Sequence, residues 1–195
     1  MRQAEIIRKT GETDIRVALE LDGSGKCSID TGVGFLDHML ELFARHGRFN
    51  LEVNCRGDIR VDDHHSTEDI GIALGQAIDQ ALGDRKGIVR YGHMILPMDE
   101  SLIISAADLS GRGLLVYDLQ IPAEKVGTFD TELAEEFFRA LAHNARCTLH
   151  LKQMAGKNSH HIIEGAFKST ARSLRAAVKI DPDTAGEIPS TKGVL

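Results

Sequence analysis

The chain has 195 residues, 42% of them hydrophobic and 27% charged, with a formal net charge of −6. That is enough apolar material for one large domain, and it excludes the compositions of disordered, collagen-like and membrane-embedded chains. The acidic balance and the lack of any Lys/Arg block argue against a nucleic-acid surface. No apolar run approaches the roughly 20 residues that cross a bilayer. Neither nucleic acid nor a membrane is therefore expected as a partner. Three cysteines, Cys27, Cys55 and Cys147, are widely spaced and form no CxxC pair. They read as reduced, mostly buried thiols of a cytoplasmic protein, and the opening MRQAEIIRKT carries no apolar signal region of adequate length.

Hydrophobic periodicity gives the elements in chain order. Residues 4–10, 13–21 and 26–31 read as strands. Residues 34–46 read as a helix with Phe35, Met39, Leu42 and Phe43 on one face. A strand at 49–55 leads to a helix at 68–82 that carries Ile70, Leu74, Ala77, Ile78 and Ala81. The same order then returns. Strands fit 91–97, 101–109 and 113–119, a helix fits 131–143, a strand 147–153, and a helix 162–178 with Ile163, Phe167, Ala171, Leu174 and Val178.

Residue matches support the repeat. Leu21-Asp-Gly23-Ser-Gly25 lies over Leu109-Ser-Gly111-Arg-Gly113, Phe35-Leu-Asp-His38 over Leu133-Ala-Glu-Glu136, and Leu51-Glu-Val53 over Leu149-His-Leu151. The expected fold is α/β (α+β): duplicated β-β-β-α-β-α halves, about 1–88 and 89–180, forming a single domain over 1–195. The helices are expected to pack face to face between two small sheets. Two copies make a duplication rather than a solenoid. Residues 181–195 suit a flexible terminus. Yet Ser190-Thr191-Lys192-Gly193 offers two hydroxyls, a cation and open backbone amides, which suit a phosphate.

The chemistry concentrates in two HHxxE motifs, His64-His65-Ser-Thr-Glu68 and His160-His161-Ile-Ile-Glu164. On a helix, the glutamate stands three and four residues from the two imidazoles and lies near both. Adjacent histidines diverge, so a pair serves two metals more readily than it chelates one. A single copy is as easily explained by polar residues at a helix N-terminus. Two copies at equivalent places favour metal binding. Imidazole and carboxylate without thiolate suit Mn²⁺, Fe²⁺, Co²⁺ or Zn²⁺, and six-coordination leans towards Mn²⁺. HExxH, Walker A and GxSxG are absent, and Gly32-Val-Gly34-Phe-Leu-Asp37 lacks the third glycine of a dinucleotide loop. From these residues alone a dinuclear metallohydrolase or a metal-binding shell protein remains open.

The segments RKTGETDIRVALELDGSG, TGVGFLDHML, DDHHSTEDIGIALG, PMDESL, DLSGRG, NSHHIIEGAFKSTARSLR and PSTKG, in that order, resemble the imidazoleglycerol-phosphate dehydratase family over essentially the whole chain. The resemblance implies two four-stranded sheets packed on a central helical layer (ribosomal protein S5 domain 2-like). It implies a homo-24-mer built from trimers, with active sites between subunits. It also implies two Mn²⁺ per active site. One would be held by His38, His65, His160 and Glu164, the other by His64, Glu68, His161 and the residue at position 136. This chain has Glu136 where some members carry His. Glu136 falls over His38 in the repeat, and a carboxylate still ligates Mn²⁺; His143 is a weaker rival.

By the same resemblance, Arg90, Arg112, Lys168, Ser190, Thr191 and Lys192 would bind the phosphate and glycerol of the substrate, and Glu12 would face the reacting carbons. Glu12, His65 and Glu164 are the residues it casts in catalysis. Taken alone, Arg112 could equally cap a turn and Glu12 could be a solvated hairpin residue. His46, His93, His143 and His150 read as partly buried or surface histidines. The implied reaction removes water from D-erythro-imidazole glycerol phosphate in L-histidine biosynthesis, as a hydro-lyase (carbon–oxygen lyase). Its difficulty is a carbon-bound proton with no neighbouring carbonyl, so the imidazole ring is the available electron sink. Glu12 is the favoured proton carrier, with metal-bound water as a competitor.

Overall fold

Strict alternation builds the first sheet. The structure, a computed structural model, describes residues 2–184 and 186–195. Met1 and Ala185, within the ranges expected for the first repeat and the tail, lie outside the described residues. β1 (Gln3–Lys9), β2 (Thr13–Glu20) and β3 (Cys27–Asp30) precede α1 (Gly34–Gly47), β4 (Asn50–Gly57) and α2 (His64–Leu82). In β2, Ile15, Val17 and Leu19 point into the core and Asp14 and Arg16 point out. The sheet order is β1-β2-β4-β3, with β3 parallel to β4 and the other pairs antiparallel.

The second half repeats this topology. β5 (Tyr91–Met98), β6 (Ser101–Asp108) and β7 (Leu114–Asp118) lead, after an inserted hairpin of β8 (Lys125–Val126) and β9 (Phe129–Asp130), to α3 (Leu133–Asn144), β10 (Thr148–Ala155) and α4 (Ser159–Val178). The sheet order β5-β6-β10-β7 matches the first, again with one parallel pair, β7 with β10. The β8–β9 hairpin has no counterpart in the first half and no signal in the periodicity.

α2 covers the first sheet and α4 the second, while helix-to-helix packing runs between the halves, α1 on α4 and α2 on α3. One hydrophobic cluster joins both sheets through this layer and includes Val17, Phe43, Ile70, Phe137, Leu149 and Phe167. Phe167 stacks on Phe137 at 4.9 Å and tilts against Phe138 at 4.7 Å. The α2–α3 contact is close because α2 presents Gly71 and Gly75. A Cβ at Gly75 would lie 2.7 Å from the Leu141 carbonyl oxygen.

Both motif helices start earlier than periodicity suggests, at His64 rather than 68 and at Ser159 rather than 162. Their first turns are polar and carry no apolar period. Asn158 caps α4, its Oδ1 accepting from the His160 and His161 amides at 2.9 and 3.2 Å, whereas the N-cap of α2, Asp63, makes no side-chain cap and Asp62, one residue earlier, accepts from the His64 amide at 2.9 Å. Cys55 and Cys147 are buried and Cys27 is exposed, all three as free thiols. The tail is tied back, with Gly87 N–H donating to the Glu187 carbonyl and Arg90 Nη1 to the Pro189 carbonyl, each at 2.7 Å. Among the described residues, no helix is long and apolar enough to cross a membrane.

Candidate metal centre

Helical phase turns the histidines of each motif outward. Ser66 and Thr67 in α2, and Ile162 and Ile163 in α4, are buried, which leaves the two histidines of each motif towards the surface. Packing of α1 on α4 then brings His38 to the second motif. His160 Nε2 lies 2.9 Å from Glu164 Oε2 and His38 Nε2 lies 3.8 Å from the same oxygen. The ligating atoms of His38, His160 and Glu164 all fall within 4.8 Å of one another, the one such group of three among the described residues. Phe35 meets the His160 ring edge-on at 5.3 Å.

This donor set fits a divalent transition metal: two imidazole nitrogens and a hard oxygen, with spacings close to those around one ion bonded at about 2.0–2.2 Å. Glu164 serves two partners, since Oε1 accepts from Lys168 Nζ one turn along α4. Burial pushes its carboxyl up in pKa, but Lys168 and His160 outweigh burial and hold it below the usual carboxylate range. Glu164 is therefore an anion in the core wall, ready to ligate.

The other expected ligands are not gathered into that group. His64 Nε2 pairs with Glu68 Oε2 at 3.8 Å on α2. His65 sits between Asp58, 3.0 Å from its Nδ1, and Glu12, 3.6 Å from its Nε2. The Asp58 hydrogen bond raises the pKa of His65. His161 donates Nδ1–H to Glu100 Oε2 at 2.7 Å and has Asp99 3.7 Å from Nε2. That bond raises the pKa of His161, and together with the Asn158 and Lys157 amides it holds the Glu100 carboxyl well below its usual range. Glu136 faces Arg139 at 3.6 Å. His143 bonds the Arg139 carbonyl at 3.0 Å and stands seven residues, about 10 Å, beyond Glu136 on α3. His46 is half-buried, and His93 and His150 are exposed.

The residues expected at the substrate fall into three places. Glu12 lies in the β1–β2 turn beside His65. Lys168 stays with Glu164, 3.6 Å from Met98 Sδ. Arg90 adopts the left-handed region (φ 74°), grips Asp108 through Nε and Nη2 at 2.7 and 3.2 Å, and holds the tail at Pro189, next to Ser190, Thr191 and Lys192. Arg112 is exposed in the β6–β7 turn, its amide 3.4 Å from Ser110 Oγ. Sequence reasoning passed over Asp58 and Glu100. The repeat held a signal for Glu100, since it precedes β6 as Glu12 precedes β2.

Known proteins share this fold. The sequence profile of the imidazoleglycerol-phosphate dehydratase family matches residues 31–174. The chain is 63% identical over 194 residues to the imidazoleglycerol-phosphate dehydratase of Desulforamulus reducens, covering 100% of this chain and 98% of that one. It is 60% identical over 195 residues to that of Azorhizobium caulinodans, covering 100% and 99%. The crystal structure of imidazoleglycerol-phosphate dehydratase from Staphylococcus aureus superposes with a TM-score of 0.84 at 44% identity, covering 92% of this chain and 99% of that one. The enzyme from Pyrococcus furiosus gives 0.84 at 37%, covering 97% and 100%. On this fold, this His–Glu cluster and these full-length similarities, the chain belongs to the imidazoleglycerol-phosphate dehydratase family and is a dehydratase, a hydro-lyase.

Proposed function

We propose that the chain carries out the Mn²⁺-dependent dehydration of D-erythro-imidazole glycerol phosphate to imidazole acetol phosphate and water, a cytoplasmic step of L-histidine biosynthesis. The observation that supports this most is the His38–His160–Glu164 group, whose ligating atoms lie within 4.8 Å of one another. His38, His65, His160 and Glu164 would hold one Mn²⁺, and His64, Glu68, His161 and Glu136 a second. When bound, the metals would supply Lewis acidity to the imidazole ring of the substrate.

The chain's own residues supply the rest. Glu12 carries the proton from the substrate carbon, its exposed carboxylate held at the tip of the β1–β2 turn. His65, 3.6 Å from Glu12, and Glu164 complete the catalytic group. Arg90, Arg112, Lys168, Ser190, Thr191 and Lys192 bind the phosphate and glycerol, converting remote binding energy into alignment of the reacting carbon. Arg90 N–H bonds the Ala177 carbonyl, nine residues along α4 from Lys168, or about 14 Å at the helical rise. That separation, with His65 and His161 outside the gathered group, supports sites completed by neighbouring copies, and the family resemblance implies that these copies form a homo-24-mer built from trimers.

Removing metal tests the reading. Protein stripped and kept in chelator should lose dehydration, and added Mn²⁺ should restore it. Full activity in chelator would contradict it, and phosphate release without dehydration would favour a phosphohydrolase.

A further inference from the structure

Each HHxxE motif sets its second histidine between two carboxylates, although different parts of the fold supply them. His65 Nδ1 lies 3.0 Å from Asp58 Oδ2, and its Nε2 lies 3.6 Å from Glu12. His161 Nδ1 lies 2.7 Å from Glu100 Oε2, and its Nε2 lies 3.7 Å from Asp99. Asp58 reaches its ring from the end of β4, Glu100 from the β5–β6 turn. An ionised carboxylate can only accept, so Nδ1 donates in both pairs. In the neutral ring, Nε2 then keeps the lone pair that a metal requires.

The two carboxylates are themselves fixed. The Asp58 amide donates to the Glu12 carbonyl at 3.1 Å, which ties the residue to the β1–β2 turn. Glu100 Oε1 accepts from the Lys157 and Asn158 amides at 3.1 and 2.9 Å. One side chain thus orients His161 and clamps the loop that caps α4. The first histidines are treated otherwise: His160 turns Nε2 onto Glu164, and His64 pairs with Glu68.

We propose that Asp58 and Glu100 are positioning residues that lock His65 and His161 with Nε2 free to ligate metal held partly by another copy of the chain. The inference rests on the metal-dependent reading above and extends it beyond the ligands, because a hydrogen bond on the far nitrogen fixes both tautomer and ring direction.

Calorimetric titration of metal-stripped protein with Mn²⁺ tests it, alongside a melting curve of each metal-free variant. Asp58→Ala and Glu100→Ala should weaken Mn²⁺ binding about 10- to 100-fold. Asp58→Asn keeps side-chain volume and an acceptor for Nδ1–H, so it should recover most of the affinity even where alanine lowers the melting temperature, whereas Glu100→Gln has one oxygen for the two sets of donors that Glu100 serves and should bind less tightly than wild type. Alanine variants that bind as tightly as wild type would overturn the positioning role, and so would Asp58→Asn binding no better than Asp58→Ala. Wild-type protein that takes up no Mn²⁺ would instead overturn the metal-dependent reading, which keeps the two failures distinct.

Discussion

The two inter-half helix pairs are copies by ancestry of pattern, yet α1–α4 gathers its ligating side chains and α3–α2 leaves its own dispersed. The glutamate of the second motif is walled in, with its side chain 8% exposed, whereas Glu68 of the first is 45% exposed. One turn on from Glu164 stands Lys168, which neutralises it; one turn on from Glu68 stands Ile72. One turn on from His38 stands Glu41, while the matching position after Glu136 is Arg139, which draws that carboxylate along α3. Packing differs as well, since Gly75 in α2 answers to Ala171 in α4. Duplication copies the positions of the ligands, and their neighbours decide whether a cluster is assembled within one chain.

The largest test of that contrast is to delete each glutamate. Glu164→Ala should abolish measurable dehydration, beyond the roughly 10- to 100-fold loss typical of residues that only orient a ligand. It should also lower stability by about 2 kcal/mol, because Lys168 is left half-buried beside a lost partner. Glu68→Ala should impair activity too, but its exposed position limits the stability change to about 0.5 kcal/mol. Dehydration assays and urea unfolding report the two effects, and equal stability losses would erase the distinction.

A smaller effect tests the packing. Gly75→Ala places a methyl against the Leu141 carbonyl and Asn144 Cβ, each 2.7 Å from the new carbon. Overpacking of about 1–3 kcal/mol, set against the roughly 1 kcal/mol that alanine gains in a helix, predicts a net loss near 1 kcal/mol. The urea midpoint should fall with an unchanged slope. An unchanged midpoint would mean that α2 and α3 separate without cost.

Much of this was legible in the sequence, for physical reasons. Alternation in 13–20 and the apolar stripe of 162–178 carry the strand and helix periods, and their recurrence gave the two-sheet duplication. The second HHxxE supplied two of the three residues in the group that could hold a metal, His160 and Glu164, and the repeat laid Glu136 over His38. The helix starts at His64 and Ser159 were hidden because their first turns, bonded to the Asp62 and Asn158 side chains, are polar and leave no apolar period. The partnering of α1 with α4, which makes the His38 cluster, is a tertiary choice that no local pattern encodes. Asp58 and Glu100 escaped notice because their roles depend on turns that fold back onto the motif helices. The tail's path past Arg90 rests on backbone carbonyls, which every residue type offers alike.

The unequal pair of sites is tested most directly by Mn²⁺ titration of metal-stripped wild type beside Glu136→Ala. The proposed two-metal reading predicts two classes of site in wild type. In the variant, the class that includes Glu136 should weaken while the His38–His160–Glu164 class keeps its affinity. Identical isotherms for the two proteins, or equal weakening of both classes, would contradict this account.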